Sequence, residues 1–433
     1  MAHDLATLGP ATLDQVAATQ ALHDGQGSEP AVLDVAGLAE ADRPSDPGRS
    51  VDASAALRSM AEEAGLRRVK VVAWRDLDDP EAGGSELHAH RIASLWAAAG
   101  IEVAVRTSAV PGRPEMVRRS GYDVRRRAGR YAVFPAAALE ARRLRCRPGE
   151  ALVEIWNGMP FFSPLWYRGP RVVFLHHVHA EMWRMVLPGW LARVGETVER
   201  RLAPPLYRGS RVVTLSESSR EEIVGMLRIP AEHVSVALPG VEQRFAPGGR
   251  RAEEPLVVAV GRLVPVKRFD LLIESLVRVR RHHPSLRAVI VGEGYERPAL
   301  EALRAQHHAE DWLSLPGRLS DDELVEWYRR AWLVASTSQR EGWGMTLTEA
   351  GACGTPAVAS DIAGHRDAVV DGRTGLLVDG AEGATEAMVR LLGDDALRTR
   401  LGRAALERSR WFTWDATARA TLQAVVTEVA RSS

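Results

Sequence analysis

Two glutamates with seven residues between them, Glu341 and Glu349, bracket the segment Arg340-Glu341-Gly342-Trp343-Gly344-Met345-Thr346-Leu347-Thr348-Glu349-Ala350. A strand ending at Ser338 feeds a glycine-containing loop, and a helix begins near Thr346. Freed amides at a helix start, together with the helix dipole, suit a phosphate. Glu341 lies in the loop and Glu349 about one turn into the helix. Both carboxylates can therefore address one ligand, Glu341 through sugar hydroxyls and Glu349 through a ribose diol. Gly342, Trp343, Gly344, Met345 and Thr346 fall on the same loop and helix start. The plainer account is a capped surface helix with solvated glutamates, but a carboxylate in a cleft needs donors, and a polyol supplies them.

The cations such a ligand needs stand at another strand end. Lys70 and Lys267 are the only lysines among 56 basic residues. Gly261 and Arg262 leave the strand at 256–260, and Lys267 precedes the next helix. Arginine offers a planar fork and lysine a compact charge, a combination that can neutralise a departing diphosphate. Gly83 and Gly84 follow an earlier strand and open a helix, where backbone amides can approach a phosphate without obstruction by a Cβ. Gly292-Glu293-Gly294 reads as a tight strand-to-helix turn lining a nucleotide cleft, because the third glycine of a dinucleotide signature is missing. Arg318 and Leu319, after Gly317, are placed to frame a base through backbone groups.

His176-His177-Val178-His179 follows an apolar strand and leaves two readings open. One is a metal site, although no cysteine or carboxylate nearby completes a ligand set. The other is hydrogen bonding to sugar hydroxyls at the cleft, with His176 the first candidate and His177 the second. A purely structural histidine is a third account. Neither a catalytic metal nor a cofactor is expected.

The elements that position these residues alternate short apolar strands with helical segments. Strands are predicted at 69–74, 101–107, 152–156, 172–175 and 212–215, with a helix at 86–99. A second series has strands at 256–260, 287–291, 313–315, 333–336 and 357–360. Helices at 269–282, 297–306, 322–330 and 346–352 lie between them. Such alternation builds parallel sheets covered on both faces. The division is an acidic extension at 1–66, a first Rossmann-like domain at 67–245, a second at 246–411 and a closing segment at 412–433. Short helices are predicted at 12–21 and 53–64, with a linker at 41–50.

Composition limits the partners. Equal totals of 56 acidic and 56 basic side chains make a generic nucleic-acid binder unlikely on charge grounds. No run of about eighteen apolar residues predicts a membrane span. The start, Met1-Ala2-His3-Asp4, lacks the basic and apolar regions of a secretory signal. With Cys146 and Cys353 as the only cysteines, the reading is a cytoplasmic protein, and the arginine and alanine bias suggests a GC-rich bacterial genome. Arginines crowd 113–147 (Arg118, Arg119, Arg125, Arg126, Arg127, Arg130, Arg142, Arg143, Arg145 and Arg147). They form either a solvated face or an attraction for an anionic acceptor or the inner membrane surface.

Taken together, these segments resemble the family 4 glycosyltransferases from residue 69 to the carboxyl terminus. The match is carried by Glu341 and Glu349, Gly261-Arg262 with Lys267, Gly292-Glu293-Gly294 and Gly354-Thr355-Pro356. The resemblance implies the GT-B fold, an α/β architecture of two doubly wound Rossmann-like domains facing a central cleft. It also implies metal-independent, configuration-retaining transfer from a UDP- or GDP-linked sugar to an acceptor that the sequence does not identify. Glu349 would then bind the ribose, Glu341 the transferred sugar, Arg262 and Lys267 the diphosphate, Gly84 a phosphate and His176 the sugar. Residues from Phe412 onward look like the segment that crosses back to the first domain. Two departures stand out: Trp343 where phenylalanine is common, which would reshape the acceptor side, and Arg268 where glycine is common. Competing readings are a nucleotide-sugar epimerase or hydrolase on this architecture and a non-catalytic nucleotide-sugar-binding protein.

Overall fold

The computed structural model describes residues 50–143, 146–180 and 182–432. The first sheet contains β1 (Arg68–Val72), β2 (Glu102–Thr107), β3 (Met116–Arg119), β4 (Tyr122–Arg126), β5 (Glu150–Trp156), β6 (Arg171–Leu175), β7 (Arg211–Thr214) and β8 (Val234–Val236). Its order is β3-β4-β2-β1-β5-β6-β7-β8. The second contains β9 (Leu256–Val260), β10 (Arg287–Val291), β11 (Leu313–Gly317), β12 (Leu333–Ser336), β13 (Ala357–Ser360) and β14 (Gly375–Val378), ordered β11-β10-β9-β12-β13-β14. Every pairing is parallel except that of β3 with β4. Chain order reverses beside β1 in the first sheet and beside β9 in the second. The crevice at the carboxyl ends of such reversals is where open α/β sheets hold ligands.

Local sequence explains the parts that position the site. Leu256-Val257-Val258-Ala259 of β9 is buried throughout, as a strand covered by helices on both faces must be. The following helix, Phe269–His282, buries Phe269, Leu272, Ile273, Leu276 and Val279. That three-and-four spacing makes one apolar stripe, while Arg280, Arg281 and His282 oppose the negative end of the helix dipole. Each deeply buried Leu or Ile here contributes about 1.5–3 kcal/mol.

The chain crosses between lobes twice, and the crossings lie side by side. Val241 N donates to Phe412 O at 2.9 Å, and Thr417 Oγ1 donates to Leu238 O at 2.6 Å. The helix Trp414–Ser432 then packs Ala418, Leu422 and Val425 into the core of the first lobe, where Trp96 Nε1 donates to Ala418 O at 3.1 Å.

Several expectations change. The helix Ser50–Glu63 sets Leu57 and Ala61 in that same core, so the segment from 50 onward is part of the first lobe and the boundary at 66 is misplaced. The helix expected at 12–21 and the linker at 41–49 lie outside the described residues. Strands β3, β4, β8 and β14 were not anticipated. No helix among the described residues is long and apolar enough to cross a membrane.

The β3–β4 hairpin accounts for much of the arginine-rich segment. Arg119 and Arg126 both pair with Asp76, which is fully buried, and with Asp78. Arg118 pairs with Asp123, Arg125 with Glu115, Arg127 with Glu140, and Arg130 with Glu81. Most of the positive charge read from the sequence is thereby matched by carboxylates. Arg145 lies outside the described residues.

Candidate active site

Loops from both lobes meet where the sheets present their carboxyl ends. Arg262 donates to Glu81 O at 3.4 Å and Arg318 to Pro80 O at 3.0 Å. Arg340 Nε donates to Val178 O at 2.9 Å, and Ser219 Oγ to Gly342 O at 3.4 Å. The lobes are in contact across the cleft through these bonds.

Glu341 is the centre of the second lobe's share. Lys267 Nζ donates to its Oε1 in an ion pair, and Ser338 Oγ donates to the same oxygen at 2.8 Å. Burial pushes this carboxyl up. The charges of Lys267 and His365, with the bonds from Lys267 and Ser338, outweigh burial and hold it below the ordinary glutamate value. Both bonds fall on Oε1, and among the described residues none reaches Oε2, which remains for a ligand donor. The helix Met345–Ala352 starts behind this loop with Gly344 as its N-cap and no side chain capping it.

Glu349 has a different environment. Its one side-chain partner among the described residues is the Tyr328 hydroxyl, which donates to Oε2 at 3.1 Å. Burial pushes its carboxyl up to about 8, with Asp321 and Glu242 adding in the same direction and Tyr328 opposing. A shielded carboxylate with one donor is an acceptor awaiting more, and a diol supplies two.

Arg262 faces the first lobe. Burial lowers its proton affinity and the guanidinium of Arg75 lowers it further, against Glu86, Glu341 and Glu81. Arg75, at the carboxyl end of β1, was missed in the sequence. It is buried and held by Glu86 at 3.1 Å. Two cations on opposite walls of a cleft repel, and an anion between them removes that repulsion. Glu86 also accepts Gly83 N at 2.9 Å, tying the helix start to its first turn. The Gly83 amide is thus already engaged, so its share of the expected phosphate cradle falls to Gly84. A Cβ on Gly84 would lie 3.2 Å from Met345 Sδ, across the cleft.

The histidines divide differently from the expected order. His176 is buried, and its Nε2 lies 3.1 Å from His88 Nδ1, inside the first lobe. Burial lowers it to about 4, with only Glu86 opposing. His177 is the one in the field of the second lobe. Burial lowers it to about 3, Arg340, His176 and Arg262 push the same way, and Glu341 opposes. Both rings are neutral at physiological pH, and His177, not His176, stands nearest the Glu341 loop. His179 stacks on His177 with centroids 4.9 Å apart. No group of three His, Cys, Asp or Glu among the described residues is arranged to hold a metal ion.

The remaining candidates mostly shape the backbone. Gly292 has φ +144°, and a Cβ there would stand 1.8 Å from Gly261 O, so only glycine permits the two strand ends to lie this close. Glu293 is held by Arg297 at 2.8 Å, which lowers its carboxyl. Leu319 packs half-buried against the core of the second lobe. Trp343 itself is 3% exposed and meets Phe412 edge-on at 5.2 Å. Its indole is core, so it does not reshape the acceptor side. Thr346 lies half-buried on the first turn of the Glu349 helix. Lys70, the other lysine, pairs with Glu150 at 2.7 Å on adjacent strands β1 and β5.

Residues 82–245 match the family profile described as Glycosyltransferase Family 4, and residues 241–408 match Glycosyl transferases group 1. A D-inositol 3-phosphate glycosyltransferase of Kribbella flavida is 30% identical over 417 residues, covering 83% of this chain and 95% of that relative. The chain belongs to glycosyltransferase family 4. The Acidothermus cellulolyticus protein of the same name is 31% identical over 422 residues, covering 83% of this chain and 91% of its own. Among solved structures, sucrose-phosphate synthase from Thermosynechococcus elongatus has a TM-score of 0.70 at 20% identity, over 82% of this chain and 98% of that one. Anabaena HepE in complex with UDP-glucose has a TM-score of 0.63 at 16% identity, over 82% and 98%. The fold is GT-B, and the chain is a glycosyltransferase.

In this glycosyltransferase Gly342 stands where the backbones of the two lobes come close. A Cβ there would fall 2.8 Å from His176 O and 3.2 Å from His177 Nδ1. Gly342→Ala is therefore expected to prise the cleft open and lower turnover about fivefold or more, since overpacking costs about 1–3 kcal/mol. Small-angle scattering and turnover together check this. Unchanged activity would mean that the contact is not kept during catalysis.

Proposed function

We propose that this glycosyltransferase moves a sugar from a nucleoside diphosphate sugar, UDP-linked first among candidates, to a hydroxyl acceptor with retention of configuration and without a catalytic metal. The observation that carries this reading is the Lys267–Glu341 pair beside Arg262, opposite Arg75. Lys267 and Arg262 stabilise the charge that grows on the departing diphosphate, which is where catalytic electrostatics counts most. Glu341 Oε2 accepts from the sugar hydroxyls and fixes the pose, and Glu349 accepts from the ribose diol. His177 contributes a neutral ring beside the sugar. Attack comes from the face the diphosphate leaves, and the diphosphate takes the acceptor proton as it departs. Anabaena HepE, similar in fold, is known in complex with UDP and with UDP-glucose, which supports the donor class.

The acceptor named for the relatives, D-inositol 3-phosphate, is the first to assay. An attraction to anionic membrane is not part of the proposal, since carboxylates match most of the arginines that prompted it. A nucleotide-release screen across UDP- and GDP-sugars, with and without that acceptor or cell extract, tests the reading. Release that never depends on an acceptor would favour a hydrolase. Activity is expected to survive excess EDTA, because Lys267, Arg262 and the uncapped helix start carry the phosphate charge. Complete loss in EDTA, restored by manganese, would overturn the metal-free mechanism.

A further inference from the structure

At the amino ends of β9, β12 and β13, on the opposite edge of the second sheet from the cleft, lies a cavity of about 580 Å³. That volume falls in the range of small-molecule sites. Its wall carries Arg251, Arg329, Arg398 and Arg403 against one carboxylate, Asp395, whose side chain is 85% exposed at the rim. None of these residues takes part in the donor cleft.

The arginines are not equally committed. Arg398 pairs with Asp395 at 2.5 Å and lies over the Trp332 ring at 4.1 Å, giving a flat cationic surface on the wall. Arg329 pairs with Glu326 at 2.7 Å. Among the described residues Arg251 pairs with no carboxylate. It donates to Ala331 O, to Thr355 Oγ1 and to Gly354 O, groups at the carboxyl ends of two helices. Burial lowers its proton affinity, and the nearby charge of Arg398 lowers it further. Arg403 is exposed and makes no hydrogen bond or ion pair among the described residues. Arg398 also caps a helix end, donating from Nη1 to Leu391 O at 2.8 Å, and Arg329 Nε donates to Ala246 O at 2.8 Å. Structural bonds thus hold Arg251, Arg329 and Arg398 around the concave space and leave Arg403 uncommitted on its wall, with a single carboxylate at the rim to balance the four charges.

We propose that this cavity binds a small phosphorylated metabolite at a site separate from the donor cleft. Guanidinium forks match phosphate oxygens two at a time, and the Arg398–Trp332 stack offers a plane for the rest of the molecule. The Thr399 hydroxyl and the backbone of Gly248 and Gly249 complete the lining.

The test is calorimetric titration of full-length protein with inorganic pyrophosphate, inorganic phosphate and, as controls, sulfate and glucose. An Arg262→Ala/Lys267→Ala background removes two of the three cleft cations and leaves Arg75, so the part of the remaining binding that is lost with Arg403→Glu reports the second site. One equivalent of pyrophosphate is expected to bind that background, tighter than sulfate, with no heat from glucose. Adding Arg403→Glu or Arg398→Glu is expected to weaken it about tenfold or more, as reversing a contacting charge should. Arg403 supports no other residue, so its variant tests the site even where Arg398→Glu folds poorly. Absence of saturable binding in the background overturns the proposal. So does equal binding of sulfate and pyrophosphate, or indifference to Arg403→Glu.

Discussion

Lys267→Ala is expected to lower turnover about a hundredfold or more while leaving the fold intact. The side chain ion-pairs with Glu341 at the strand-end loop, so its loss costs chemistry and, through the carboxyl left without its charge partner, lowers the melting temperature near neutral pH. Two effects combine. The departing diphosphate loses a cation, and Glu341 loses the charge that offsets its burial. The Glu341 carboxyl is now held below its ordinary value, so removing Lys267 lets burial raise it. The ionised form is then reached only at higher pH, and the acid limb of the pH–turnover profile moves upward in the variant. Lys267→Arg restores the charge to Glu341 and with it the position of that limb, but gives the diphosphate a wider, planar partner. Arg262→Ala is expected to lower turnover comparably without moving the limb. Turnover near that of the natural chain at saturating donor would remove Lys267 from the mechanism.

The second lobe was legible because its chemistry and its packing signals coincide. Leu256-Val257-Val258-Ala259-Val260 is an unbroken apolar run, and the helix after it declares its stripe through Phe269, Leu272, Ile273 and Leu276. Strand, loop and helix could be placed, and Arg262 and Lys267 followed from them. The first lobe hides its edge. Strands β3 and β4 read Met116-Val117-Arg118-Arg119 and Tyr122-Asp123-Val124-Arg125-Arg126, where arginine takes inward as well as outward positions. Inward arginines look like a solvated run until their partners are known, and those partners, Asp76 and Asp78, stand more than forty residues earlier. Long-range ion pairing leaves no periodic trace in a chain.

The same limit hid the support behind the glutamates. Ser338 and His365 act on Glu341 from different segments, and only the nearness of Ser338 in the chain offered a hint. Arg75 was the third miss. It immediately precedes Asp76 and reads as one more surface arginine, yet the sheet carries it into the cleft opposite Arg262. His176 and His177 differ by one residue after a strand, and alternation of faces sends one inward to His88 and the other towards Glu341. Which is which depends on the last strand residue, the least certain feature in a sequence.

Glu349→Gln is expected to stabilise the protein and weaken nucleotide binding together. The carboxyl stands at about 8 in the folded chain and near 4.5 when unfolded. As pH rises between those values the unfolded chain gives up its proton while the folded chain keeps it, so stability falls across that window and levels off above it. Glutamine has no proton to lose. The gain in melting temperature of the variant should be small near pH 5, grow towards pH 8 and then stay constant. Binding runs the other way. A ribose diol donates best to the ionised carboxylate, so nucleotide binding to the natural chain below pH 8 should release a proton and tighten as pH rises. Hydrogen bonds to a charged group contribute about 1.5–3 kcal/mol each, so losing their charge should weaken UDP binding about tenfold to a hundredfold. Calorimetry of UDP in buffers of different ionisation heat, beside melting curves at pH 5, 6.5 and 8, reads both effects. A melting temperature that does not rise at pH 8 would mean that Glu349 already has partners beyond Tyr328. UDP bound as tightly by the variant, without proton release in the natural chain, would place the ribose elsewhere.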